Sequence, residues 1–538
     1  MFAHFRPIFI AFLSLSLGIW LAELFRQGKI IYIIIVGSIL VIIILLSLLR
    51  LCFKNSGFFH YLWRTRKCFL TVFISVIVGF TSFTIAYNKI IQEEVVNVDS
   101  SVDYFVMGTV RSAPVEYEDY MSMFIDDPIL TTGSTTIDLD GKSIYLKIDT
   151  ENIDESSDLY ITQAGDTIIL VANVTNMSVF YEDNVSSFAY KNNCRYIAYA
   201  DQDNISIIEG TTTGIASARE FIKEKIYASM DARYAGLAYA IFIGDKSGLD
   251  YDLQENFQVT GIAHLLAVSG LNVGFIVLLL MCFLKPTRLK PIWKTAIITL
   301  ILVLYCLLCD LSPSVIRASL MAVFLLLGNS FGKQGDNLNS VSLAGILLLL
   351  IDPMYLFDLS FLLSFASVFA IIMLYPQFEA LFMKAHLGKF VSATLAISIS
   401  AQIGTLPLLI NTFGYVSVVS LLVNFLTVPF LGYLYMGMFV ALILAIILPF
   451  TWGLLWLVQW GLWLVDIVTQ WFASWTYASV SVNSIIPIVV AILFIAMFCF
   501  SRFCVVQGKK QKIILYSVTS AICVLSVVFN YTIVPLLC

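Results

Sequence analysis

The sequence predicts a polytopic α-helical membrane protein of about 10–13 transmembrane helices, carrying an inserted extracytoplasmic β-rich, OB-like domain. Three observations predict it. Of the 538 residues, 59% are hydrophobic and 12% charged, with a mean hydropathy of +0.90, outside the range of water-soluble domains. Apolar runs of roughly 18–25 residues recur, the length a helix rising about 1.5 Å per residue needs to cross hydrocarbon. Charge is also divided: Lys89 to Ala232 holds 25 acidic and 9 basic residues, a net of −16, leaving 11 acidic and 22 basic, a net of +11, elsewhere. A polar, acidic insert of this kind reads as a solvated, self-repelling surface.

The elements follow in chain order. Residues 1–88 should form three helices, from the runs Ile8–Leu24, Ile30–Leu49 and Cys68–Tyr87. No small-residue cleavage pattern follows the first run, which therefore reads as an uncleaved span. Arg50, Lys54, Arg64, Arg66 and Lys67 lie between the second and third. The positive-inside rule puts that loop and the N-terminus in the cytoplasm and the polar region beyond Asn88 outside. Residues 89–213 read as strands at Tyr104–Val110, Ser143–Ile148 and Thr167–Val174, bounded by Gly, Asp, Asn and Ser. Thr131–Asp158, rich in Gly, Thr, Ser and Asp, reads largely as loop. Across 214–260, Ile222, Ile226, Met230 and Tyr234 recur among charges, predicting amphipathic helices, placed at the outer membrane face although the periodicity alone fits a packed soluble helix equally.

Residues 261–505 form the expected transmembrane core. Lys285, Arg288, Lys290 and Lys294 mark a cytoplasmic return after its first span. Further spans are expected near 292–309, 314–331, 338–351, 356–375, 391–411, 416–448 (two spans or a re-entrant pair), 450–472 and 484–504. Residues 506–538 then give a basic cytoplasmic loop and a last helix near 513–535. The ten cysteines are scattered, and only Cys194 lies in the exported region, which excludes a disulfide within it. Cys306 and Cys309 sit in an apolar helix without further ligands and read as core thiols, so no metal or other cofactor is expected. No P-loop, GxSxG elbow or HExxH is present, and no enzymatic activity is expected.

The motifs add a resemblance. Ala240-Ile-Phe-Ile-Gly244-Asp245-Lys246-Ser-Gly-Leu, followed by Thr260-Gly-Ile-Ala-His264-Leu-Leu-Ala-Val-Ser269-Gly270-Leu-Asn272-Val-Gly274, closely resembles the signature of the ComEC family of competence DNA-uptake channels. Pro313-Ser-Val-Ile-Arg317-Ala, Asp352-Pro-Met-Tyr-Leu-Phe-Asp358-Leu-Ser-Phe-Leu-Leu-Ser364, Ala401-Gln402-Ile-Gly-Thr-Leu-Pro407 and Asn424-Phe-Leu-Thr-Val-Pro429 resemble its later blocks in order. Phe188-Ala-Tyr190 and Ile197 resemble the end of its outer module. The resemblance implies a channel passing single-stranded DNA across the bacterial cytoplasmic membrane in natural transformation. It implies as partners DNA, membrane lipid, a membrane DNA receptor, a cytoplasmic helicase or translocase, and single-stranded-DNA-binding proteins. Asn272 stands where the family commonly has His, so no imidazole role carries over. No HxHxDH-like metal motif of the family's nuclease-like domain exists here, so strand degradation is expected from another chain.

Polar groups within membrane segments are costly unless paired or wetted. That rule makes His264, Ser269, Asn272, Arg317, Asp358, Ser364, Gln402 and Asn424 candidates for a wet path, with Gly270 and Gly274 permitting a helix break or close contact and Gly244, Asp245 and Lys246 as a supporting turn. Arg317 must find an acceptor: a phosphate, a carboxylate such as Asp310 or Asp358, or a lipid headgroup reached by snorkelling. Tyr104, Tyr145, Tyr196 and Tyr199 are candidate stacking platforms in an outer domain poor in Lys and Arg, which fits a docking or gating module better than a DNA-holding one. Two rivals remain: a small-molecule transporter, and an intramembrane enzyme using His264 and Ser269, whose spacing shares a helical face only if the helix breaks between them.

Overall fold

In the computed structural model, the described residues are 7–28, 57–92, 96–149, 162–331, 337–447, 453–501 and 516–526, with short breaks at 112–113, 117–119, 134, 140, 163–164, 178–179, 182–183, 186–188, 190–191, 201–204, 209, 211–213, 486 and 524–525. The expected span at Ile30–Leu49, the resemblance carried by Phe188 and Tyr190, and most of the last helix lie outside them.

The helices are α1 (Pro7–Arg26) and α2 (Gly57–Gln92), then, beyond the outer domain, α3 (Ile215–Ser229), α4 (Ala232–Ile243), α5 (Tyr251–Val259), α6 (Gly270–Leu284), α7 (Pro291–Leu308), α8 (Pro313–Ser330), α9 (Asn337–Ile351), α10 (Leu359–Lys384), α11 (Lys389–Phe413), α12 (Ser420–Ile447), α13 (Leu455–Ala473) and α14 (Pro487–Phe500). Among the described residues seven helical stretches are long and apolar enough to cross a membrane: α1, Leu70–Ile90 of α2, α7, α8, α10, α11 and Ser420–Leu444 of α12. The region 416–448, expected to supply two spans, holds the single helix α12. Pro429 sits inside it without ending it, as happens in membrane helices where neighbours satisfy the freed carbonyl.

Two large apolar cores hold most of the helices together, and smaller clusters join α1 to α2 and α11 to α14. One joins α3–α8 with α12 and α13. The other joins α1, α2, α9, α10 and α14 through a Phe cluster: Phe12 stacks on Phe365 at 5.4 Å, and Phe365 lies 4.3 Å from Phe361. Glycine lets α1 and α2 touch. A Cβ on Gly79 would collide with the Leu15 carbonyl and one on Gly18 with the Val76 carbonyl, a reciprocal small-residue contact of the kind that packs helices where no hydrophobic force drives them together.

The domain between α2 and α3 is a closed barrel. Its main strands are β1 (Asp103–Val110), β3 (Tyr120–Thr132), β5 (Ser143–Asp149), β6 (Thr167–Asn176) and β9 (Cys194–Ala200); short strands β2 (Val115–Glu116), β4 (Thr135–Asp138), β7 (Phe180–Tyr181), β8 (Asn184–Val185) and β10 (Ile205–Ile208) flank them. The order β1-β3-β5-β9-β6 closes through a β6–β1 pairing, and β5 runs parallel to β9. Numbered along the chain, the five main strands thus form the ring 1-2-3-5-4, the topology of an oligonucleotide-binding-type barrel. Inward residues such as Val106, Ile125, Leu146, Ile168 and Ala198 are fully buried, following the alternation of a one-sided strand. Part of the stretch that composition marks as loop is a hairpin: Leu130 pairs with Ile137 and Thr132 with Thr135.

The 214–260 region differs from three surface helices. In α3 only Ile222 and Ile226 are buried, as expected of an amphipathic helix. By contrast, α4 is buried at every position from Ala235 to Ile243, enclosed by α6, α7, α12 and α13. The apparent periodicity from Ile222 to Tyr234 runs across a helix break at Met230 and Asp231.

Candidate functional site

The chain between α5 and α6 is unwound. Gly261 adopts φ +76°, and a Cβ there would lie 2.6 Å from the Ser420 Cβ and 3.0 Å from that of Ser417, so glycine is required twice over. A single 3-10 turn, Ala263–Leu265, follows, with Ile262, Leu265, Leu266 and Val268 buried as anchors. His264 is exposed between them. The segment ends at Ser269, which precedes α6 without capping it; its Oγ is buried and has no partner among the described residues. Next along, a Cβ on Gly270 would stand 3.3 Å from that of Ala318, whereas Gly274 has open space there.

This segment is a hub. On one side Gly261 touches the start of α12, where the Ser420 Oγ accepts from Gln402 Nε2 of α11 at 3.0 Å. Asn424 lies one turn further along α12 and is buried. On the other side Gly270 touches α8 one residue from Arg317. The turn Gly244-Asp245-Lys246 also belongs here: Gly244 closes α4 at φ +97° against Val268, and Asp245 Oδ1 accepts from the Ser247 N–H at 2.9 Å.

Arg317 is 2% exposed. Its Nη2 donates to Ser360 Oγ at 2.6 Å, the Ser360 carbonyl at 3.0 Å and Ser314 Oγ at 3.1 Å, tying α8 to the start of α10. Neither expected carboxylate pairs with it directly. Asp310 accepts from Arg219 at 3.3 Å, and Asp358 caps α10 through the Ser360 N–H at 3.0 Å. The reason is position: Asp358 precedes α10 and is committed to its N-terminus, which favours a carboxylate. Two groups of this cluster remain without a partner among the described residues, Arg317 Nε and Asp358 Oδ2. Ser364 lies a turn along the same helix, half-buried.

Asn272 sits elsewhere. Its Nδ2 donates to the Ile241 carbonyl at 2.9 Å, while Tyr305 donates to the Phe242 carbonyl at 2.9 Å and is itself held by Tyr435 at 2.7 Å. The last carbonyls of a buried helix need such donors. Asn272 thus closes the C-terminal end of α4. At the other end Arg233 grips Asp466 of α13 through Nε at 3.0 Å and Nη2 at 3.3 Å, and Asp250 through Nη1 at 2.8 Å. Ser314, Ser360, Ser420, Arg233 and Asp466 escaped the sequence reading. The first two stand inside the quoted motifs, but Arg233 and Asp466 have only tertiary structure to join them.

Of the four tyrosines read as stacking platforms, Tyr104, Tyr145 and Tyr196 are buried in the barrel and only Tyr199 is exposed, at 50%. Burial holds the Tyr196 phenol and the Cys194 thiol above their ordinary values. The described residues hold no group of three His, Cys, Asp or Glu able to bind a metal.

These features define a multi-pass helical membrane protein with a separate β-barrel. Residues 241–505 match the family described as competence protein. ComE operon protein 3 of Bacillus subtilis is 32% identical over 230 residues, 42% of this chain and 28% of that one. An uncharacterized protein of Aquifex aeolicus is 31% identical over 211 residues, 38% and 47% of the two chains. Recombination protein 2 of Haemophilus influenzae is 25% identical over 212 residues, 37% and 27%. The matches therefore span between about a quarter and a half of those relatives' lengths. No solved structure matches. Residues 241–505 thus belong to the ComEC family of competence proteins.

Proposed function

We propose that this protein takes part in competence DNA uptake as the channel that passes single-stranded DNA across the bacterial cytoplasmic membrane, N-terminus inside and barrel outside. One observation carries the proposal: the polar groups of the motif segments bond to one another yet leave three buried atoms unmet among the described residues. Arg317 Nε and Asp358 Oδ2, where α8 meets the start of α10, and Ser269 Oγ, at the end of the unwound segment that reaches α8 through Gly270, are buried and without a partner among the described residues. An unmet buried donor or acceptor costs about 1–3 kcal/mol, more for a charged group. Water or a passing phosphate would meet that need. A polyanion crossing about 30 Å of hydrocarbon requires such a wet, partly cationic route, and irregular backbone at 260–269 is tolerated in a membrane only against protein or water.

In this reading the channel does no covalent chemistry. His264, Ser269, Gln402 and Asn424 line or border the path, and the half-buried Lys246 supplies charge at its supporting turn. The strand is delivered by a membrane receptor, freed of its complement by a nuclease on another chain, and drawn inward by a cytoplasmic helicase or translocase and by single-stranded-DNA-binding proteins. Transformation by a strain deleted for the gene, scored with a selectable marker, tests this: frequencies at the wild-type level would sink the channel, and uptake of a small solute by proteoliposomes that exclude labelled oligonucleotide would replace it with a transporter.

A further inference from the structure

A sizeable cavity lies in the barrel. It has a volume of about 500 Å³ and opens at one rim, to which all five main strands contribute. Asp103 opens β1, Tyr120 opens β3, Asp149 ends β5, Asn173 lies on β6 and Tyr199 is next to last on β9. The ladder sets them side by side: Asp103 pairs with Asn173, Asn173 with Tyr199, Tyr199 with Lys147, and Tyr120 with Asp149. The size is that of a pocket for a small organic ligand or a segment of a polymer.

The lining decides the chemistry. Lys147, the one cation, has its ammonium 4.4 Å from the Tyr120 ring centroid and 5.9 Å from that of Tyr145, so aromatic faces hold it. Two carboxylates, Asp103 and Asp149, share the rim with it. A polyanion would meet more negative than positive charge in a domain already strongly acidic. A neutral molecule dense in hydroxyls suits the lining: the carboxylate oxygens accept from hydroxyl groups, the Asn173 amide, one N–H of which is held by the Ser100 carbonyl at 2.7 Å, accepts and donates, and the half-exposed Tyr199 ring offers a flat face to the C–H side of a sugar. Barrels of this topology bind oligosaccharides as well as oligonucleotides.

We infer that this rim cavity is a binding site for a neutral glycan, with Tyr199 as its stacking platform and Asp103, Asp149 and Asn173 as its hydroxyl partners. The site is independent of the channel: it lies in the barrel and uses none of the residues around Arg317.

The test uses the full chain in nanodiscs of neutral lipid, titrated with chitotriose, maltotriose and a single-stranded DNA 20-mer while ligand-side saturation-transfer NMR and calorimetry are recorded. Saturable binding of one of the trisaccharides is expected, insensitive to salt. Tyr199→Ala should weaken it about tenfold, the scale of one lost aromatic stack, and Tyr199→Phe should restore it; Asp103→Asn should weaken it less. No saturation by either sugar would overturn the inference, as would sugar binding indifferent to Tyr199→Ala. So would DNA binding that falls steeply with salt and is lost in Tyr199→Ala, because the rim would then be a nucleic-acid site.

Discussion

The barrel and the helical part of this chain differ in what they bury. The barrel core is aliphatic with a few Tyr and Met side chains, and among its described charged residues only Asp166 and Arg195 are buried. Among the helices Arg317, Asp358, Asp466, Asn272, Asn424 and Thr469 are buried, while Leu300, Leu304, Trp460, Trp471 and Leu422 stand exposed. The barrel is organised against water. The helices turn apolar side chains toward lipid, and once apolar surface has no reason to hide, specific polar contacts decide which helix meets which. Breaking a polar contact among the helices should therefore cost more than breaking one in the barrel.

The largest effect is expected at Arg317. Arg317→Ala removes the donor that joins Ser314 and Ser360 and the one motif cation buried next to the unwound segment. Transformation frequency should fall about a hundredfold or more, the scale of roughly 2.8 kcal/mol. Arg317→Lys keeps a charge but loses the planar fork and should recover only part of it. Normal frequency in Arg317→Ala, with the protein present in the membrane at its usual level, would remove Arg317 from the path.

Next comes the grip on α4. Arg233→Ala strands Asp466, whose side chain is 4% exposed, and should destabilise the folded protein by about 2–4 kcal/mol, read as a lower midpoint of thermal unfolding in detergent. The double variant Arg233→Ala with Asp466→Leu should recover much of that loss, because it leaves no buried charge behind. Equal loss in single and double variants would show that the pair is not what holds the helix.

Much of the fold is legible because long apolar runs have one physical meaning. The ends of α1, α7, α8 and α9 fall within two residues of the apolar runs that announce them. Strands β1, β5 and β6 show as short apolar runs between Gly, Asp, Asn and Ser, and β1 and β6 alternate in burial. The middle of β3 is hidden by Asp126-Asp127-Pro128, where Asp127 takes φ +45° and the register against β1 shifts between Met107 and Thr109: the polar residues there serve a bulge, not a turn between elements. Helix α4 is obscured for another reason. A nine-residue apolar stretch between charges looks like one face of a surface helix, and only the donors arriving from α6 and α7 allow its end to be buried. Arg317 is legible as a lone cation in an apolar helix, but its partners are serines, too common to single out. The Arg233–Asp466 pair leaves no local trace, since 233 residues separate its members.

The smallest predicted effect separates structure from passage at Asn272, where the family commonly carries His. Asn272→Ala deprives the Ile241 carbonyl of its donor in a buried site and should cost about 1–3 kcal/mol, seen as a modest fall in thermal midpoint. Asn272→His retains a ring N–H able to reach a carbonyl, so it should hold stability near the parent value while Asn272→Leu, apolar and of similar bulk, should not. If the residue serves α4 in this way, transformation will follow stability across the three variants. If Asn272→Leu leaves the midpoint untouched yet abolishes transformation, the amide acts on the passing strand instead, and the end of α4 must be held by Tyr305 alone.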